Sequence, residues 1–320
     1  MLEFEVGEFI HDAAKLQKVY LCRKIYLIAM FETLKQSAGM RVFLFLVILL
    51  VSSLIGLALA SVFMFAGDIG MKIGQGVSSI MMFVVPPIVY YFVTRKERPM
   101  QALGLRKPAR PWWLIIVGAA LMYVSLPVTN QLSTWNEGMS FGGALATLED
   151  YMKALEETAR VTTEKMLNVD SIGGLLLNLL IIALIPAIGE ELTFRGVLQQ
   201  SLTRKMNPHV AIILSAAIFS FIHFQFYGFL PRMFLGMLLG YMFYVSNSLW
   251  TSILMHFLNN GSAVVVYYLN NKGVINVDVD HFGQTQSVWL IAASAAATVG
   301  LIAWSWRKAK PAKATQNQTL

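Results

Sequence analysis

The sequence predicts an all-α, polytopic membrane helix bundle of about eight transmembrane helices. Three observations carry that reading: 56% of the 320 residues are hydrophobic, only 13% are charged, and mean hydropathy is +0.59. So little polar surface cannot cover a water-soluble globule of this size, whereas it suits helices whose outer faces meet lipid. The net charge of +7 would suggest a polyanion partner in a soluble protein. Here the basic residues cluster at the ends of apolar runs, where they anchor helices and set orientation, so no nucleic-acid partner is expected. The lone cysteine, Cys22, excludes an intramolecular disulfide and a thiolate zinc cluster. MLEFEVGEF opens with acids where a signal peptide needs bases, so no cleaved leader is expected.

In chain order, residues 1–41 mix apolar and basic residues and fall short of a span, which fits an interfacial helix on the cytoplasmic side. Apolar runs then predict spans at 42–66, 77–94 and 112–130, with GDIGMKIGQG as a short connection between the first two. Residues 131–171 carry seven acids and three bases and form an extramembrane loop. Within it Leu145, Leu148, Met152 and Leu155 recur at helical spacing, which predicts an amphipathic connector helix. Further spans come at 173–202, 208–224, 229–245, 249–269 and 288–306, and Pro186 is expected to kink the first of these. The chain divides accordingly into the interfacial helix 1–41, three spans plus the loop in 42–171, a core in 172–270, and a last span with a basic tail in 271–320. With eight spans both termini share a side. The segments on that side hold eighteen Lys and Arg against six opposite, so both termini are expected in the cytoplasm.

Ionisable residues inside apolar helices are costly and ask for a reason. AIGEELTFRG places Glu190, Glu191 and Arg195 in the 173–202 span. Glu191 and Arg195, four apart, share a face and can pair; Glu190 diverges by about 100° and has no local cation. The next span carries His223 with Phe219 one turn before it, and 249–269 carries His256 with Asn260 one turn after it. Taken singly, each is as readily an interhelical hydrogen-bonding group. Together, three helices present a free carboxylate, two imidazoles and an amide to one interior, the equipment of a hydrolytic site.

These three groups, Glu190-Glu191-x-x-x-Arg195, Phe219-x-x-x-His223 and His256-x-x-x-Asn260, resemble the three motifs of the CPBP family of intramembrane proteases, which includes the CAAX prenyl endopeptidase and the bacterial Abi proteins. The resemblance covers residues 173–269. It implies hydrolysis of peptide bonds in a membrane-associated protein or peptide, at a site reached from the cytosolic side in the prenyl endopeptidases. The residue chemistry is compatible: Glu190 as general base to water with His223 assisting, His256 and Asn260 as donors to the oxyanion, and Glu191, Arg195 and Phe219 in support. No cofactor is required by that scheme. Zinc held by Glu190, His223 and His256 is the competing arrangement, although no HExxH pair stands on one helix. A non-catalytic transporter or immunity protein is the remaining alternative, disfavoured as a transporter by the lack of an inverted repeat. The expected location is the bilayer of a bacterial plasma membrane.

Overall fold

The computed structural model describes residues 38–63, 65–94, 99–106, 112–279 and 282–309. Of the interfacial helix expected in 1–41, residues 1–37 with Cys22 lie outside the described residues, as do most of the basic linker 95–111, His281 and the basic tail from 310 on; residues 38–41 begin the first helix of the bundle. Within them the chain is an all-α membrane helix bundle: α1 (Ala38–Ser61), α2 (Gly67–Thr94), α3 (Trp113–Val124), α4 (Leu126–Glu137), α5 (Ala146–Leu167), α6 (Ile172–Thr203), α7 (Pro208–Phe221), α8 (Phe229–Ser246), α9 (Leu249–Asn271) and α10 (Val288–Ala309). Five of these are long and apolar enough to cross a bilayer, or six when α3 and α4, bent by 45°, count as one span. The two other expected spans are α7, only 14 residues long, and α9, whose length suffices but which carries His256, Asn259, Asn260 and Asn271.

The expected connection GDIGMKIGQG is instead the first half of α2, and the expected third span runs seven residues further, to Glu137. Four glycines suggested a turn, but a helix in lipid must keep its backbone hydrogen bonds internal, and that requirement overrides glycine's poor propensity. Lys72 therefore lies inside the bundle, 5% exposed, and donates to Asn178 Oδ1 of α6 at 2.8 Å.

Both α2 and α6 widen into π-helical turns, at Ile80–Val84 in α2 and at Leu179–Leu184 and Leu192–Gln199 in α6. Each wide turn takes in an extra residue and weakens the carbonyl's own helical bond, so the carbonyl needs another donor. Side chains supply it. Ser52 bonds the Met81 carbonyl. Thr193 bonds that of Phe83 at 2.9 Å, Ser215 that of Phe194 at 3.3 Å, and Tyr91 and Gln200 that of Gly196 at 3.2 and 2.7 Å. Pro186 does not act alone on α6. It has no N–H for the carbonyl of Ile182, and Asn260 Nδ2 reaches that oxygen from α9 at 3.4 Å.

Helices α6 and α8 are joined by a two-rung ladder. Arg195 Nη2 donates to the Gly236 carbonyl at 2.8 Å and Gln199 Nε2 to that of Gly240 at 2.9 Å. The rungs need the G-x-x-x-G spacing: a Cβ at Gly240 would lie 2.7 Å from Gln199 Oε1, and one at Gly236 3.1 Å from the Ala216 Cβ on α7.

Outside the bundle, α5 is entered through a turn in which Gly142 and Gly143 have φ of 49° and 53°, a region that disfavours side chains. Glu149 closes the turn. Its carboxylate takes the backbone N–H groups of Phe141 and Gly142 at 2.8 and 3.1 Å, the Ser140 hydroxyl, and Lys153 Nζ at 2.7 Å. Lys153, then those N–H groups, hold the Glu149 carboxyl at a pKa of about 2, well below the ordinary value. The apolar stripe foreseen on α5 is only half used, because Leu145 and Leu148 are 50% and 53% exposed while Met152 and Leu155 are partly buried. A carboxyl depressed in the fold supports it above its ordinary pKa and stops doing so as pH falls through the folded value. Amide exchange at Phe141 and Gly142 should thus stay protected at pH 4 and lose protection as pH approaches 2; Glu149→Gln should lose it at every pH. Protection at pH 4 unchanged by Glu149→Gln would contradict this account of the turn.

Candidate functional site

Three helices bring the expected residues to one interior. On α6, Glu190 and Glu191 end the α-helical stretch Ile185–Glu191, between the two wide turns. A wide turn rotates the residues beyond it by about 100° relative to an uninterrupted helix, so the flanking turns decide what each acid faces. Glu191, wholly buried, pairs with Arg195 Nη1 at 2.6 Å, as its spacing predicts. Arg195 is 1% exposed, with its guanidinium carbon 5.0 Å from the centre of the Phe219 ring.

His256 of α9 joins the two acids, which the sequence did not reveal. Its Nδ1 lies 3.1 Å from Glu191 Oε1 and its Nε2 3.7 Å from Glu190 Oε2. Glu190, without a cation of its own on α6, meets an imidazole across the helix interface. Helical spacing within α6 says nothing of what α9 places opposite. A carboxylate only accepts, so Nδ1 of His256 donates to Glu191, and Nε2 is the nitrogen turned toward Glu190. The 3.7 Å separation exceeds a hydrogen bond and is bridged when a proton moves onto either group.

His223 sits just past the end of α7. The helix stops at Phe221, three residues before the expected end, and Phe224 takes a φ of 53°, unusual for a bulky residue and often associated with functional turns. The turn lets His223 Nδ1 donate to the Phe219 carbonyl at 2.7 Å, leaving Nε2 with its lone pair. Phe219 is the spacer of the site: its ring meets Phe194, His223 and His256 edge-on, with centroids 5.1, 5.0 and 6.2 Å apart.

Asn260 stands one turn beyond His256, partly buried. Its Nδ2 is engaged with the Ile182 carbonyl at 3.4 Å and its Oδ1 accepts from Asn259 at 3.1 Å. Both of its polar atoms are thus turned to other partners than the glutamates, and of the seven expected residues it is the one the structure holds apart.

The loop after His223 brings in residues that spacing and hydropathy do not single out. With 14 residues, α7 rises about 21 Å, short of the roughly 30 Å hydrocarbon layer. Irregular backbone at such depth survives only where protein or water satisfies it. Asn136 of α4, 1% exposed, donates to Phe226 O at 2.9 Å and accepts from Leu230 N at 2.6 Å. Glu156 of α5 accepts from Tyr227 N at 3.1 Å, and Arg232 of α8 holds both the backbone and the side-chain oxygen of Gln225, at 3.2 and 2.7 Å. Burial raises the Glu156 carboxyl above its ordinary pKa. Glu156 also lines a cleft with Glu137, Lys153, Glu157, Arg160 and Tyr227, which opens beside this loop. Arg232 lies only four residues into its span, where a basic residue reads as an interfacial anchor.

Among the described residues no group of three or more His, Cys, Asp or Glu side chains is arranged to hold a metal ion. The trio Glu190, His223 and His256 is thus not a formed ligand set here.

Residues 172–262 match the family described as type II CAAX prenyl endopeptidase, Rce1-like, and that stretch takes in all seven of the expected site residues. Neither a curated protein nor a solved structure matches the chain at a significant level.

The geometry separates the two acids. Glu191→Gln should strand Arg195 as a buried cation and weaken His256's hold, lowering stability by about 3–5 kcal/mol. Glu190→Gln keeps its shape and breaks no hydrogen bond, and should stay within about 1 kcal/mol of wild type. Unfolding in mixed micelles would measure both, and equal losses would show that Glu190 is as structural as its neighbour.

Proposed function

We infer that this chain, an integral membrane protein that belongs to the CAAX protease family, cleaves peptide bonds of membrane-associated proteins or peptides with water activated at Glu190. The observation that carries the mechanism is the contact line Arg195, Glu191, His256, Glu190, running 2.6, 3.1 and 3.7 Å from a fully buried ion pair to a carboxylate that makes no hydrogen bond of its own among the described residues. Glu190 takes a proton from water as the oxygen attacks the peptide carbonyl carbon. His256 Nε2 can accept that proton in turn, because the imidazolium so formed is stabilised by Glu191, the logic by which a carboxylate orients and supports a catalytic histidine. The proton then goes to the leaving amine as the C–N bond breaks. His223, with Nδ1 held by the Phe219 carbonyl, offers Nε2 to the attacking water. Asn260 is the candidate oxyanion donor: its bond to Ile182 is at the long limit, and a developing negative charge offers the amide a stronger, charge-assisted partner.

The second reading is the zinc enzyme. Both imidazoles have Nδ1 fixed by an acceptor and Nε2 free, which is how metal-bound histidines are held. Bound at Glu190, His223 and His256, zinc would polarise the peptide carbonyl and acidify water. The three side chains as placed do not converge, so no step above passes through it. If the chemistry is carried by Glu190 alone, Glu190→Gln should end turnover, strong chelators should leave wild-type activity intact, and Asn260→Ala should slow it about 100- to 1,000-fold. One zinc per active chain, lost in His223→Ala and restored together with activity by added zinc, would establish the metal enzyme instead.

In the orientation we propose, the basic segments and both termini face the cytoplasm of a bacterial cell, residues 172–270 form the catalytic core, and α5 lies on the opposite face. Cysteine labelling in a Cys22-less background should modify position 140 only from outside; modification from the cytoplasmic side alone would invert the topology.

A further inference from the structure

The first turns of α5 overhang the bundle. Leu148, Leu155 and Met166 lie within about 20° of one direction on the helix. Along that line Leu148 is exposed, Leu155 partly covered and Met166 buried. Burial at the far end shows which way the face looks: onto the bundle, and so toward the membrane plane. Seven residues, about 10 Å of helix, separate Leu155 from Leu148, and over that length the same face runs out past the protein. Leu145, a turn earlier, is exposed as well, as are Phe141 and, at the end of α4, Trp135. Composition agrees with this placement. Residues 138–148 carry no charge, although the loop as a whole is rich in acids. The nearest acid, Glu149, is itself buried, its carboxylate met by Lys153 and two backbone N–H groups. Trp135 belongs to the bent spanning pair α3 and α4, in the position of an interfacial aromatic anchor. Its neighbour Asn136 bonds the Phe226 carbonyl at 2.9 Å, and the Phe226 ring meets that of Phe141 edge-on at 5.3 Å. The apolar patch therefore continues the lipid-facing surface of α4, and a patch of this kind is costly to leave in water.

We propose that residues 138–148 are a lipid-binding wedge: the turn and the first turn of α5 seat in the headgroup boundary, with Leu145 and Leu148 against the acyl chains. Helices seated in this way bury their apolar face about 5–10 Å into that boundary. α5 is thus held at its C-terminal end by the bundle, where Met166 is buried, and at its N-terminal end by the bilayer. Through the contact of Phe141 with Phe226 the bilayer also bears on the loop that follows His223. The proposal needs only the membrane fold and no catalytic role for any residue.

The test places an environment-sensitive fluorophore on a single cysteine at position 145, 148 or 150, in a Cys22→Ser background, with one full chain per nanodisc. Asp150 is exposed on the far side of the same turn, about 160° around the helix from Leu148, so it reports on the face and not on the distance along the helix. Probes at 145 and 148 should emit to the blue of the probe at 150 and be shielded from aqueous iodide. Lipids spin-labelled near the headgroup should quench them more than lipids labelled at the chain end, while the probe at 150 should respond to iodide and to neither lipid. Leu145→Asp combined with Leu148→Asp should move a probe at position 144, also exposed, from lipid to water and leave the melting temperature in detergent unchanged. Iodide quenching that is equal at 145, 148 and 150 overturns the proposal, and it needs only cysteines at exposed positions. A blue shift at 145 and 148 that appears only when two chains share a disc also overturns it, because the face then belongs to a second copy of the chain.

Discussion

The constraint on which the structure depends is the cost of placing Glu191 and Arg195 where water does not reach. Both are essentially unexposed and meet at 2.6 Å, with Arg195 also bonded to the Gly236 carbonyl and Glu191 to His256. One ion pair thereby fixes α6 to α8 through a backbone oxygen and α6 to α9 through an imidazole. The pair is not built for stability alone. Among the described residues Glu191 Oε2 and Arg195 Nε lack hydrogen-bond partners, and an apolar pair of similar volume would often be as stable. What an apolar pair would not supply is direction: it could not set the tautomer of His256 or turn its Nε2 toward Glu190.

A second constraint comes from the wide turns. π-helical turns leave carbonyls needing donors, and in lipid the donors must be protein. Ser52, Tyr91, Thr193, Gln200, Ser215 and Asn260 each bond one such carbonyl or the one opposite Pro186. Polar residues scattered over α1, α2, α6, α7 and α9 thus support the irregular stretches of α2 and α6. The loop after His223 obeys the same rule, with Asn136, Glu156 and Arg232 as its donors and acceptors. Irregular backbone and scattered polar side chains are two sides of one requirement.

The sequence shows which residues matter more readily than how they meet. Apolar run length locates α6, α8, α9 and α10 closely, and four-residue spacing gives the Glu191–Arg195 pair, because both are properties of a single helix. What spacing cannot show is an interhelical angle. The 3.7 Å approach of His256 to Glu190, the engagement of Asn260 away from both acids, and the burial of Lys72 all depend on packing between segments far apart in the chain. Glycines misled for the same reason. In GDIGMKIGQG they suggested a turn, whereas in a bundle without water they mark helix surfaces lying close together. Gly236 and Gly240, read as part of an ordinary span, turn out to be where Arg195 and Gln199 reach the backbone of α8.

Two adjacent glutamates on one helix, in one low-dielectric interior, are given different work by what the neighbouring helices place beside them. Glu191 receives a permanent cation and the imidazole N–H, so its charge is neutralised and it becomes a fixed element of the fold. Glu190 receives only an imidazole nitrogen at 3.7 Å and, farther away, the field of Arg232. A carboxylate so placed gains from any proton that arrives between it and His256, which is the property a general base needs and a structural acid lacks. Exchanging the surroundings would exchange the roles. In the proposed mechanism, chemistry at Glu190 therefore rests on the neutralisation of Glu191, and the ion pair that costs most to bury is what leaves its neighbour free to react.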